Sequence, residues 1–324
     1  MKLITQKYNN HVSLDTVEEF ERIILSDKSI ISINETNKTL SKVLFYIYRI
    51  IPKKKSFKNN NSQVKDLLDK PSQSHFFVIL MGLDFSKCLP FFISSNTKSI
   101  YLFDAWPKKH DEIIKFLNIF KVKNLFLSSS QAVEIIQSKT KYTNCFWVAE
   151  GINVEGYKHY SFKDKTIDVI ALGRKYDSYH QQIVTSLENN KKVYLYEKEK
   201  GKIIFPTRNE FIEGMAKSKI SICVPSNITH SERSGDIETM TIRYLQSMVS
   251  KCLILGHAPK EMITLFGYNP VIEIDSKDPE GQILSILNNY EYYHQLIEKN
   301  YQVVLKNHTW SNRWDKIKQL LNEN

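Results

Sequence analysis

Between Ser218 and Gly256 the chain gathers residue types suited to an oxygen-rich, charged ligand. Ile220-Ser221-Ile222-Cys223-Val224 is an apolar run of strand type that ends in Pro225-Ser226. A polar loop follows, Asn227 to Asp236, carrying Thr229, His230 and Arg233. The spacing then predicts a helix that begins near Glu238 to Thr241 and ends at Ser250. A helix start behind a polar loop offers unbonded backbone N–H groups and the positive end of the helix dipole, which suits a diphosphate. Thr239, Thr241 and Arg243 fall in that opening turn. Glu238 and Gln246 are slightly more than two turns apart, so both are expected on one face of this helix.

Two further groups stand at the ends of apolar runs. Gly173, Arg174 and Lys175 follow Ile167 to Leu172 and place two cations after a strand. Asp104 follows Ser99 to Phe103, where a carboxylate can act as a base or accept a ligand's hydrogen bond. Asp84 is a second candidate of that kind. Each has a plain structural alternative: a helix-start carboxylate for Glu238, a turn cap for Asp104, a surface arginine for Arg174.

The elements that must position these residues alternate. Phe76–Met81, Ser99–Phe103, Asn124–Leu127 and Cys145–Val148 read as strands. Asp111–Phe120 and Ser130–Ser138 carry helical spacing between them. The pattern restarts with strands at 167–172, 192–196, 220–224, 252–256 and 271–274. Helices are expected at about 179–187, 209–216, 241–250, 279–287, 290–304 and 312–321. Strands separated by helices imply βαβ units and mainly parallel sheets, with ligands outside the carboxyl ends of the strands.

Length and composition set the limits. The chain has 324 residues, 42% hydrophobic and 25% charged, which is ordinary for globular domains. The cysteines Cys88, Cys145, Cys223 and Cys252 form no CxxC pair, so neither a zinc site nor a thioredoxin-type motif is expected, and free buried thiols in a reducing cytoplasm are. The N-terminus shows no apolar signal core, and the apolar runs are too short to span a bilayer. Lys+Arg exceeds Asp+Glu by 45 to 35, and most of the excess lies before residue 156.

Several segments together resemble the retaining GT-B glycosyltransferases, family 4-like (glycosyl transferases group 1), which include glycogen-synthase-like and lipopolysaccharide-synthesis enzymes. That family carries a Glu, seven residues and a second Glu; here Glu238 takes the first position and Gln246 the second. The resemblance implies that Glu238 contacts the donor sugar. It places Gln246 at the ribose, without a carboxylate's charge-assisted bond. Leu172-Gly173-Arg174 resembles the family's Gly-Arg, whose arginine contacts donor phosphates; the family often places a lysine several residues on, where this chain has Tyr179, and Lys175 is the residue that can substitute for it. Ala149 to Asn153 resembles the interdomain turn, and His308 to Trp314 the start of a closing helix. The likeness covers residues from about 75 to 324.

The resemblance implies an α/β fold of two Rossmann-like doubly wound domains facing a central cleft, with the C-terminal helix crossing back. The expected borders are 1–155 for an acceptor domain, 156–307 for a nucleotide-sugar domain and 308–324 for the closing helix. Expected site residues are Glu238 and Asp104 for catalysis. Gly173, Arg174, Lys175, Ser226, Thr229, His230, Thr239, Thr241, Arg243 and Gln246 are expected at the donor. The donor is a substrate, so no cofactor is expected. No Asp-x-Asp motif is present, and arginine with backbone donors takes the place of a metal.

One stretch stands apart. Lys38 to Lys65 holds Lys38, Lys42, Arg49, Lys53, Lys54, Lys55, Lys58 and Lys65 and no acid, around the apolar run Val43 to Ile51. Such a mixture suits an anionic membrane surface, and equally a core helix followed by a solvated loop. The expected partners are therefore a nucleotide-sugar, a glycan or polyprenyl-diphosphate-linked acceptor, and an anionic membrane at the inner face of the cell. No nucleic acid is expected, and the expected location is the cytoplasm. Two alternatives stay open: a non-catalytic binding module for an anionic surface or nucleic acid, and a GT-B-type nucleotide-sugar epimerase.

Overall fold

The computed structural model describes residues 1–5, 15–33, 38–50, 74–86, 88–93, 96–173, 175–199 and 201–323. The chain forms two compact units, Met1–Ala149 with Arg313–Asn324, and Glu150–Asn312. The first break thus falls before Glu150 and not after residue 155. Backbone pairing explains this: Ile152 N–H donates to His308 O at 3.1 Å and Trp310 N–H to Ile152 O at 3.1 Å. Those bonds tie both chain passages into the second unit.

The first unit contains β1 (Lys2–Ile4), α1 (Asp15–Ser26), β2 (Ile31–Ile33), α2 (Lys38–Ile50), β3 (His75–Met81) and α3 (Leu89–Phe92). It continues with β4 (Thr97–Phe103), α4 (His110–Phe120), β5 (Asn124–Leu127), α5 (Ser130–Gln137) and β6 (Asn144–Trp147). The strands form one parallel sheet in the order β2-β1-β3-β4-β5-β6. Phe76 to Leu80 are all buried, as a parallel strand covered on both faces requires. Phe85 stacks on Phe116 of α4 with ring centroids 3.8 Å apart.

The second unit contains β7 (Ile167–Ala171), α6 (Asp177–Asn189), β8 (Tyr194–Tyr196), α7 (Arg208–Ala216), β9 (Ser218–Cys223), α8 (Ser226–Thr229) and α9 (Ser231–Ser234). Then come α10 (Ile242–Val249), β10 (Leu253–Gly256), α11 (Lys260–Phe266), β11 (Ile272–Glu273), α12 (Pro279–Asn288) and α13 (His294–Asn307). Its parallel sheet has the order β11-β10-β9-β7-β8. Val169, Ile220 and Leu253 pack on one face with Ile183 and Ile283, while Ile170 packs on the other with Met215 and Cys252. A Cβ on Gly256 would fall 1.7 Å from Cys223 O, so this strand pair admits only glycine there.

Lys165 is buried before β7. Its ammonium donates to Ala216 O, Ser218 O and Ser250 O at 2.9, 2.8 and 2.9 Å. Burial lowers its pKa. The last helix, α14 (Trp310–Glu323), carries the chain back to the first unit. There Arg313 Nε donates to Ala149 O at 2.9 Å, and Trp314 lies 5.6 Å from the Phe77 ring. Among the described residues, no helix is long and apolar enough to cross a membrane. The four cysteines are free, and Cys145 alone among them is only half-buried.

Candidate functional site

In the second unit the connections reverse direction between β7 and β9, and a doubly wound sheet opens a crevice at such a point. The chain leaves β7 through Gly173, whose φ is 68°. A Cβ there would lie 2.6 and 2.8 Å from the two terminal nitrogens of Arg243. Glycine thus serves twice: it accepts the left-handed backbone, and its bare Cα leaves room for a guanidinium. Arg243 is the second residue of α10, so the helix delivers its charge to the end of β7. Arg174 lies outside the described residues. Lys175 pairs with Asp177 at 3.6 Å and lies 5.8 Å from the Tyr196 ring centroid.

The neighbouring strand, β9, ends at Cys223 and passes through Pro225 into α8. The expected polar loop is two short helical turns, α8 and α9. Ser226 Oγ, Asn227 Oδ1, Thr229 Oγ1 and His230 Nδ1 are all buried without a hydrogen-bond partner. A buried polar atom left unpaired costs about 1–3 kcal/mol. Four within five residues, at the switch point of the sheet, mark a place where a polar ligand can supply the missing bonds.

The helix start is where the sequence reading needs correction. Glu238 is not in the helix. α10 begins at Ile242, so Glu238 and Gln246 do not share a helix face. Glu238 instead accepts from the N–H of Lys260, the first residue of α11, at 3.4 Å. The stretch between is pinned by a buried acid: Glu261 accepts from Thr239 Oγ1 at 2.7 Å and from Met240 N–H at 2.8 Å. Thr239 is thereby a buried anchor of the loop, with its hydroxyl already bonded. The Thr241 side chain makes no cap bond.

The N–H of Ile242, first in α10, is taken by Glu150 Oε2 at 2.6 Å. Glu150 is only 6% exposed. A carboxylate at this depth is stabilised by the helix dipole, and it fills the anion position expected for a diphosphate. Sequence reasoning missed this role because the two residues are far apart along the chain. Gln246 donates from Nε2 to the Tyr157 hydroxyl at 3.2 Å. Tyr157, Tyr160, Tyr301 and Val249 line a cavity of about 370 Å³ in this unit.

In the first unit the corresponding reversal lies between β1 and β3. β3 runs into Gly82, with φ 66°, and the exposed Asp84, which accepts from Ser86 Oγ at 2.5 Å. Asp104 follows β4 in a left-handed conformation, φ 55°. The other non-glycine residues with positive φ among the described ones, Lys121, Lys191 and Lys251, all follow helices, where such a conformation is ordinary. Asp104 alone holds it at the carboxyl end of a strand, at a cost of about 1 kcal/mol. Its carbonyl accepts from Trp106 N–H at 2.8 Å. Nearby His110 bonds Ala105 O at 2.9 Å, and burial lowers its pKa. The two catalytic candidates, Asp104 and Glu238, belong to different units.

No protein-family model matches the chain, and no curated protein does. Solved structures do. Anabaena HepE, in complex with UDP and glucose, aligns with a TM-score of 0.61 over 100% of this chain and 99% of its own, at 9% identity. An α,α-trehalose-phosphate synthase (UDP-forming) from Burkholderia vietnamiensis aligns with a TM-score of 0.52 over 91% and 89%, at 11% identity. TarM aligns with a TM-score of 0.53 over 86% of this chain at 13% identity, and the chain spans 57% of TarM. The fold is GT-B. At these identities the likeness concerns fold alone, and the GT-B frame fits the parallel sheets and their switch points.

Proposed function

We propose that this GT-B protein is a glycosyltransferase. It moves a sugar from a nucleotide diphosphate-sugar to a hydroxyl of a glycan or polyprenyl-diphosphate-linked acceptor in bacterial surface polysaccharide synthesis. The second unit takes the donor and the first the acceptor. One observation carries this reading: Gly173 with Arg243, and the four unpartnered side-chain atoms between Ser226 and His230, stand at the carboxyl ends of the adjacent parallel strands β7 and β9. The crystal complexes of HepE with UDP and glucose make UDP-sugars the first donors to test.

In this mechanism the Arg243 guanidinium meets the charge that develops on the leaving diphosphate. The Ser226-to-His230 side chains bond phosphate or sugar oxygens, and Glu238 orients the sugar. Asp104 holds or deprotonates the acceptor hydroxyl. The arginine carries the charge that a metal would otherwise carry, so chelator leaves the rate unchanged. Retention at the anomeric centre is the outcome that the family resemblance implies, and the product's anomeric NMR signal reads it.

Thermal shift with UDP-, GDP-, ADP- and CMP-sugars tests the reading. A ligand at one hundred times its Kd adds about 2.7 kcal/mol, a shift of several degrees. One nucleotide class is expected to give it and to support transfer. Glu238→Gln should lower kcat while leaving that shift in place. No shift with any nucleotide-sugar would sink the proposal.

A further inference from the structure

We infer that α2 is a membrane-docking helix for an anionic lipid surface. Its inner side is fixed by packing: Tyr48 meets Phe116 and Phe120 of α4, and Lys115 Nζ donates to Tyr48 O at 3.1 Å. Ser41 and Tyr48 are buried on that side. The opposite side is open to solvent and, apart from Thr39, apolar. Leu40, Val43, Tyr46, Ile47 and Ile50 are 47%, 51%, 68%, 51% and 65% exposed. At about 100° per residue these five occupy one arc of roughly 120°. A helix of a water-soluble protein ordinarily turns polar residues outward, so five large apolar groups on one outer arc call for an apolar partner.

Charge selects the partner. Lys42 and Arg49 are exposed along one edge of the same arc. From Lys38 to Lys65 the sequence has eight basic residues and no acid. Aliphatic side chains facing outward, an exposed tyrosine and a basic edge are the components of a helix lying in the headgroup region of an anionic bilayer. A docking helix on the acceptor unit would bring that unit to a lipid-linked acceptor. This inference rests on the lipid-linked acceptor proposed above but not on the donor, which the second unit binds.

The test is sedimentation of the intact chain with vesicles of phosphatidylcholine alone or with about one-third phosphatidylglycerol. Binding is expected to be at least about tenfold tighter to the anionic vesicles and to weaken with salt. Val43→Asp/Ile47→Asp should abolish it, and Lys42→Glu/Arg49→Glu should weaken it at least about tenfold. Each variant's nucleotide-sugar thermal shift reports the second unit separately. Loss of vesicle binding with that shift intact upholds the docking helix, and it does so whichever nucleotide is bound. Equal binding to both vesicles, or unchanged binding by Val43→Asp/Ile47→Asp, overturns the inference. So does a chain that ignores vesicles but protects residues 40–50 from hydrogen exchange, or one that dimerises through this face.

Discussion

The two units share one topological plan but differ at its reversal point. Both sheets are parallel, and both run outward from a first strand that lies beside their third. At that point the second unit holds a glycine, a guanidinium and four unpartnered polar atoms within reach of two strand ends. The first unit offers Gly82, Asp84 and, one strand away, Asp104. One plan thus serves two chemistries: cationic and hydrogen-bonding in the second unit, acidic in the first. The backbone supplies the crevice, and a few side chains at strand ends decide what enters it.

The sharpest way to break this contrast is Arg243→Ala. Removing a charge-assisted contact to a developing diphosphate should cost about 3–4 kcal/mol, a fall of 10²–10³ in kcat/KM, measured with the donor identified by thermal shift. Gly173→Ala should come next. It strains a φ of 68° and drives a methyl group into the guanidinium, so donor affinity should drop at least about tenfold and the urea midpoint should fall.

Glu150 sharpens the contrast further. Glu150→Ala should destabilise the protein by about 1–2 kcal/mol in urea titrations, because the first N–H of α10 loses its acceptor. Glu150→Gln keeps an acceptor without the charge. If the diphosphate is held by Arg243 and the Ser226-to-His230 segment, its Kd should stay within about threefold of wild type. A tenfold gain in affinity would instead put the phosphates at the helix start.

The smallest effect concerns pH in the first unit. His75 bonds Ser99 Oγ at 2.8 Å, and burial brings its pKa down to about 4. Its folded pKa lies below the unfolded value, so the native state favours the neutral ring. Stability from this residue is complete above about pH 6.5 and is lost as pH falls toward 4. His110, His159 and His180 are lowered too. His75→Gln should therefore flatten only part of the decline in urea midpoint between pH 7 and pH 5.

Much of this was legible in residue types and spacing. The alternation of strands and helices from Phe76 onward was clear because each buried strand is a run of apolar residues. β1 and β2 were not, since three-residue strands carry no readable period. Gly173 could be picked out by its position at a strand end, and Arg243 by its charge and its place in the opening turn of a helix. The start of α10 could not: Ile237 to Ile242 has helical spacing, but Glu261 holds Thr239 and Met240 in a loop outside the helix. The contact of Glu150 with Ile242 depends on the folded chain and leaves no local signal.

Lys165 has a consequence for chemical labelling. Its three donors are all bonded and it is 5% exposed, so amine reagents reach it only when the second unit opens. Among the described residues, most other lysines are exposed or half-buried and should label faster. The modification rate of this one, read by mass spectrometry, is a clock for the opening of the unit that holds Arg243. A bound donor should slow that clock while the labelling of Lys42 keeps its pace.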